Sequence, residues 1–331
     1  MSNAAYFRLI IFTAFVAYCV VLLGAYTRLS DAGLGCPDWP GCYGHLSVPS
    51  DVESIAATAN HASGRALDTG KAWKEMIHRY LAGSLGLLIL AISILAFLRR
   101  KKVTNSLLLP FLLLVTVIFQ AALGMWTVTL QLKPIIVVAH LLGGFSTFSL
   151  LILLALNHSS QRAFFHTKIS TGLSRLAVIA LLIVIGQITL GGWVSSNYAA
   201  LACADFPKCQ GSWLPTMDFK QGFSLLQSGN TNYEFGVLEN AARTAIHYTH
   251  RVGALITFII VSLLVLRLFK NPPLKGLGIL VGSILLIQVS LGISNVVFYL
   301  PLPIAVSHNG GAALLLITLI YVNYRLWQYR Q

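Results

Sequence analysis

Glu75-Met76-Ile77-His78-Arg79 opens an apolar run, Ile77 to Leu98, that is long enough to cross a bilayer. The pentapeptide sets a carboxyl group, an imidazole and a guanidinium at the mouth of that run. Ionisable side chains at membrane depth are expensive, so each marks a functional hypothesis. The chain repeats the arrangement. His247-Tyr248-Thr249-His250-Arg251 opens a second apolar run, and His250-Arg251 falls 172 residues after His78-Arg79.

The surrounding chain has the composition of a polytopic membrane protein rather than a soluble globule, 56% hydrophobic and only 10% charged over 331 residues. Eight segments are long and apolar enough to span, roughly 9–27, 77–98, 107–129, 134–157, 176–194, 244–266, 276–299 and 303–324. The first is too long to read as a cleaved signal and is taken as a true span. With the amino terminus inside, the cytoplasmic segments hold Arg8, the Arg99-Arg100-Lys101-Lys102 cluster, Arg162, Lys168, Arg175, Arg267, Lys270, Lys275, Arg325 and Arg330. No acid accompanies them; all ten Asp and Glu fall on the other side. The positive-inside rule therefore places both termini in the cytoplasm. A net charge of +13 could also serve nucleic acid, but loops this short offer no module to bind it. Topology and contact with the lipid bilayer account for the charge.

An internal repeat organises the rest. Leu23-Gly24 matches Leu190-Gly191, and Cys36 and Cys42 match Cys203 and Cys209, at an offset of 167. Gln120, Gly124 and His140 match Gln288, Gly292 and His308 at an offset of 168. The expected fold is all-α: eight transmembrane helices as two tandem, pseudo-symmetric four-helix bundles with parallel topology. Residues 1–157 form the first, 158–175 a cytoplasmic linker lying on the membrane surface, and 176–331 the second. Polar residues and turn formers fill the outer loops, with helical period from about Val52 onward in the first.

Of the five cysteines, Cys19 sits within the first span and reads as a small buried apolar residue. The other four form two Cys-x5-Cys pairs, Cys36/Cys42 and Cys203/Cys209, in the long outer loops, where an oxidising compartment permits disulfides. A metal site is the rival, but C-x2-C spacing is absent. The bridges read as structural, with a redox role left open.

Four histidines fall in the outer half of the membrane, on the spans that run inward: His78 and His140 in the first half, His250 and His308 in the second. Two histidines at matched depth on parallel helices of one bundle can grip an iron porphyrin axially. The competing reading for each is an imidazole bonded to a backbone carbonyl. Duplication in pairs favours ligands, as does flanking glycine (Gly83 and Gly86, Gly143-Gly144, Gly253, Gly310-Gly311), which gives a flat macrocycle room. His45 and His61 in the outer loop, and His158 and His166 on the cytoplasmic side, read as solvated. Arg79 and Arg251 are candidates for porphyrin propionates, against the alternative of snorkelling to headgroups. The halves differ at one point: Glu75, three residues before His78, is replaced by His247 before His250. A carboxylate beside a porphyrin edge can move protons, and the rival is a helix-N-terminal Glu favoured by the dipole.

These residues resemble the haem A synthase (Cox15/CtaA) family over essentially the whole chain. The resemblance rests on the duplicated halves, Glu75-x-x-His78-Arg79, the paired His140, His250 and His308, and the two Cys-x5-Cys loops. It implies oxidation of the C8 methyl of haem O to the formyl of haem A, for haem-copper terminal oxidases, by two hydroxylations and loss of water. By the same resemblance, His250 and His308 ligate a haem b cofactor, His78 and His140 flank the substrate haem O, and Glu75 is the essential catalytic acid. Implied partners are a haem O synthase (protohaem farnesyltransferase) upstream and cytochrome oxidase assembly downstream, in a bacterial inner membrane. A homo-oligomer stays open. The chain has no nicotinamide or flavin motif, so electrons leave through haem b. The rival function is a di-haem b-type membrane cytochrome, quinol oxidoreductase-like, which uses the same four histidines without Glu75; a haem transporter or chaperone is a third.

Overall fold

A computed structural model describes residues 2–50, 66–100, 107–158, 170–225 and 232–328. Among these it contains eight helices long and apolar enough to cross a membrane. They are α1 (Asn3–Leu29), α2 (Thr69–Arg99), α3 (Leu108–Thr129), α4 (Pro134–His158), α5 (Thr171–Ser196), α6 (Asn240–Phe269), α7 (Lys275–Val297) and α8 (Leu302–Gln328). The helical period from Val52, His61, the cations Lys101, Lys102, Arg162, Lys168 and Arg330, and His166 with most of the linker lie outside the described residues.

Several helices begin before their apolar runs because polar residues cap them. Ser2 accepts from Ala5 N–H at 3.2 Å, Asp68 from Lys71 N–H at 3.0 Å and Ser170 from Leu173 N–H at 3.2 Å. Pro134 opens α4, where its missing N–H costs nothing. The turns after α3 and α7 repeat each other. Gln131 and Leu132, then Tyr299 and Leu300, take left-handed φ values of 47°, 61°, 56° and 61°. Leu132 N–H closes on Thr127 O at 2.8 Å, and Leu300 N–H on Asn295 O at 2.7 Å, which satisfies carbonyls at each helix end.

The chain divides into two compact units: Met1–Leu151 with Leu225–Val237, and Ile152–Ser224 with Leu238–Gln331. In the first, α1 packs on α2 and α2 on α3. Gly124 of α3 lies against His140 of α4, and Tyr18 of α1 meets Phe148 of α4 with ring centroids 5.7 Å apart, which closes the ring. Arg99, at the end of α2, donates to Asn3 at the start of α1, so those ends share one membrane face. In the second unit α5 packs on α6, α6 on α7, α7 on α8 and α8 on α5. A single-turn helix, Phe219–Gly222, is tied to α5 through Trp193 Nε1–H donating to Gly222 O at 2.8 Å. Large apolar side chains such as Phe15, Phe111, Ile118, Leu182, Leu255 and Leu286 point outward, as a lipid-facing surface requires.

The first unit also takes in a piece of the loop between α5 and α6. Tyr233, itself buried, donates its N–H to Gln131 O at 3.1 Å, and the Lys71 ammonium lies 5.9 Å from the Phe235 ring centroid.

Candidate functional site

Each of the four histidines packs its ring against a glycine of the preceding helix. A Cβ on Gly24, Gly124, Gly191 or Gly292 would stand 3.0, 3.4, 3.2 or 3.0 Å from Cε1 of His78, His140, His250 or His308 respectively. All four are half-buried. His78 and His140 lie close enough for their charges to interact, and so do His250 and His308. The structure thus brings the histidines together as one pair per unit.

The pairs differ in what holds them. The Nδ1 atoms of His78 and His140 are buried and make no hydrogen bond. His250 Nδ1 has the Gln187 amide nitrogen at 3.0 Å, and that nitrogen also donates to His250 O at 2.9 Å. His308 Nδ1 lies 3.2 Å from the carbonyl oxygen of Gln288. A carbonyl only accepts, so this Nδ1 carries the proton and Nε2 is the acceptor nitrogen, with the Gln288 side-chain amide nitrogen 3.5 Å from it.

The cysteine loops sit over the amino-terminal ends of α2 and α6. Both are closed, Cys36–Cys42 and Cys203–Cys209, and Cys19 is free. The same framework builds both. Asp38 accepts from Tyr43 N–H at 2.6 Å and Gly44 N–H at 2.8 Å; Asp205 accepts from Gln210 N–H at 2.6 Å and Gly211 N–H at 2.9 Å. The backbone N–H groups of Gly211 and Gln210 hold the Asp205 carboxyl below the usual carboxylate range. Neither aspartate was singled out from the sequence, although their matched offset was legible.

Arg79 and Arg251 clamp these loops. Arg79 donates to Asp38 O at 2.9 Å and Gly41 O at 2.5 Å, and Arg251 to Asp205 O and Lys208 O, both at 2.8 Å. Glu75 is 4% exposed. One oxygen accepts from Cys36 N–H at 2.8 Å, and the other pairs with Arg79 at 2.5 Å. At the matched place His247 faces Cys203 N–H and Arg251 Nε–H, each at 3.3 Å. A neutral imidazole has one acceptor nitrogen, so His247 can satisfy one of two donors where the carboxylate satisfies both. The substitution that distinguishes the halves therefore changes how the loop is held as well as which acid-base group is present.

Among the described residues, no group of three or more His, Cys, Asp and Glu could hold a metal ion directly. Fold and site define a class: a multi-pass membrane protein with an intramembrane histidine pair in each of two repeated units. A family model described as COX15-CtaA, cytochrome oxidase assembly protein, matches residues 7–320. The chain is 52% identical over 308 residues to a "Heme A synthase" of Shewanella oneidensis, covering 93% of this chain and 92% of the relative. It is also 28% identical over 334 residues to a "Heme A synthase" of Agrobacterium fabrum, covering 93% and 86%. One from Halalkalibacterium halodurans is 25% identical over 317 residues, covering 92% and 91%. The chain belongs to the COX15-CtaA family of cytochrome oxidase assembly proteins.

Proposed function

We propose that the chain is a haem A synthase, oxidising the C8 methyl of haem O to a formyl group and so supplying haem A to haem-copper terminal oxidases. The observation that carries this reading is the 52% identity, over 93% of the chain, to a relative bearing that name.

The residues present fit a porphyrin. Two neighbouring imidazoles per unit, glycines whose Cβ atoms would crowd the rings, and a His308 whose Nδ1 is turned to a backbone carbonyl so that Nε2 is its acceptor nitrogen form a suitable donor set. In this reading His250 and His308 hold haem b, and His78 and His140 flank the substrate haem O. Bound haem b supplies one-electron transfer. Protein side chains do the rest. Glu75 is the catalytic acid, a buried carboxyl one helical turn from His78 whose oxygens are held by Cys36 N–H and Arg79. Arg79 and Arg251 serve the propionates, each fixed in place by loop carbonyls. The disulfides keep those loops closed. We place the protein in a bacterial inner membrane with both termini cytoplasmic and the haem sites toward the outer side. A haem O synthase acts upstream of it, and oxidase assembly follows.

Mass analysis of haems extracted from membranes co-expressing the chain with a haem O synthase tests the reading. A species about 14 mass units above haem O, as replacing two hydrogens by one oxygen requires, is the expected product. Glu75→Ala should lower its yield at least about a hundredfold while haem b stays bound. Unchanged haem O beside a stable haem b, with an electron acceptor supplied, would favour a di-haem b-type cytochrome.

A further inference from the structure

Three of the four helix hairpins share a finer pattern. Gln120-x3-Gly124 faces His140-x2-Gly143, Gln187-x3-Gly191 faces His250-x2-Gly253, and Gln288-x3-Gly292 faces His308-x2-Gly311. The first glycine of each set lets the imidazole pack against its helix. The second makes space for the glutamine: a Cβ on Gly143, Gly253 or Gly311 would collide with the amide of Gln120, Gln187 or Gln288. Glutamine on one helix and glycine on the next are therefore one device.

The hairpin α1–α2 lacks it. Gly24 still packs on His78, but Val20 stands at the glutamine position and Leu81 at the second glycine. With no amide to accommodate, nothing there requires a glycine. Val20 lies one turn before Gly24, and Leu81 one turn after His78, so both share the faces that carry the site.

We propose that this makes His78 the exchangeable partner of the His78–His140 pair, with His140 the fixed one and Gln120 its positioning residue. The inference rests on the reading that these two histidines flank haem O. An axial imidazole is oriented and strengthened by a partner on its outer nitrogen. In the second unit, the Gln187 side-chain amide meets that nitrogen of His250, and the backbone carbonyl of Gln288 meets that of His308. When iron takes Nε2, the Gln187 amide can turn its oxygen, now buried without a partner, toward the Nδ1 proton. In the first unit Gln120 has a buried, unpartnered Nε2 atom and stands at the same position relative to His140. Rotation of its side chain supplies the bond. Valine has no side-chain group with which to do the same for His78, and its backbone carbonyl does not meet His78 Nδ1, which has no partner. A substrate that must enter, react and leave is served by one firm attachment and one yielding one, whereas a resident cofactor is served by two firm ones.

Carbon monoxide binding to the dithionite-reduced full chain, loaded with haem O by co-expression, tests this. CO must displace an axial histidine, so in the unmodified chain it should bind the haem whose spectrum His140→Ala removes. The double variant V20Q/L81G restores the device and should slow CO association there roughly tenfold, the weight of one hydrogen bond. V20L/L81G, with the same space and no amide, should bind CO at the original rate. Equal rates in the two double variants would overturn the proposal. The reverse change, Gln187→Val, keeps the test available if V20Q/L81G does not fold: it should admit CO to the haem held by His250 and His308, and refusal would overturn the proposal equally. Should His140→Ala remove no haem signal at all, the substrate-site reading itself fails, which is a distinguishable result.

Discussion

At Gly292 an added Cβ would stand 3.0 Å from Cε1 of His308, and at Gly191 3.2 Å from Cε1 of His250. Contacts that tight force the ring to give by a few tenths of an ångström, which misaims the lone pair of a ligand. Gly292→Ala and Gly191→Ala should therefore lower the haem-to-protein ratio of the purified chain, Gly292→Ala more. Gly172→Ala and Gly276→Ala meet nothing within 4 Å and should leave haem content unchanged, with helix stability equal or better by up to about 1 kcal/mol. Asp205 supports a prediction about pH. Its carboxyl is held below the ordinary carboxylate range by backbone N–H groups, so the charged form is favoured more in the folded loop than in the unfolded chain. That contribution is fully present above the unfolded value of about 4 and is lost only as pH falls through the lower folded value. Hydrogen-exchange protection of Gln210 and Gly211 should hold at pH 5 and collapse only in stronger acid, below about pH 4. Loss of protection between pH 7 and 5 would contradict it. The four histidines were legible in the sequence because an ionisable group in an apolar run stands out. The glutamines were legible only as matched offsets. An uncharged amide declares its partner through geometry, and Gln187 is identified by its distance to His250 rather than by its surroundings in the chain.

The helices and their loops show why the apolar runs gave spans but not helix ends. The hydrophobic stretch of α2 starts at Ile77, yet the helix starts at Thr69, because Asp68 caps it and two polar turns precede the bilayer. Hydropathy reports where lipid is; capping reports where helix is. Those extra turns carry Glu75 up against the cysteine loop, a contact that no spacing rule supplied. The loop depends on arginine geometry in particular, since Arg79 reaches three backbone carbonyls and Glu75 with two nitrogens. A lysine carries its three donors on one atom and cannot span those acceptors. Arg79→Lys should leave bound haem in place but loosen the loop, raising hydrogen exchange across residues 36–44 and lowering the melting temperature by the few degrees that about 1–3 kcal/mol implies. An exchange pattern like that of the unmodified chain would show that the disulfide alone holds the loop.

Across the whole molecule, duplication was the most legible feature, because offsets of 167 and 168 recur from Gly24 to His308. Charge carries an expectation for the ends: no acid accompanies the cations on the side assigned to the cytoplasm, so a fluorescent protein fused after Gln331 should fold and fluoresce, while a phosphatase fused there should stay inactive. The reverse pair of results would invert the topology and move the histidines to the inner half. What the repeat could not reveal is where the chain breaks its own symmetry. Residues around Tyr233 to Val237 follow α5 in sequence yet are packed with the first unit, on the turn after α3. Modularity in sequence and modularity in space are therefore not the same here. A gene divided in the linker would yield an amino-terminal fragment with all four of its spans but a bare turn after α3. The missing segment would be left behind in the other product, so the two repeats cannot be traded between relatives as self-sufficient cassettes unless that segment travels with the bundle it covers.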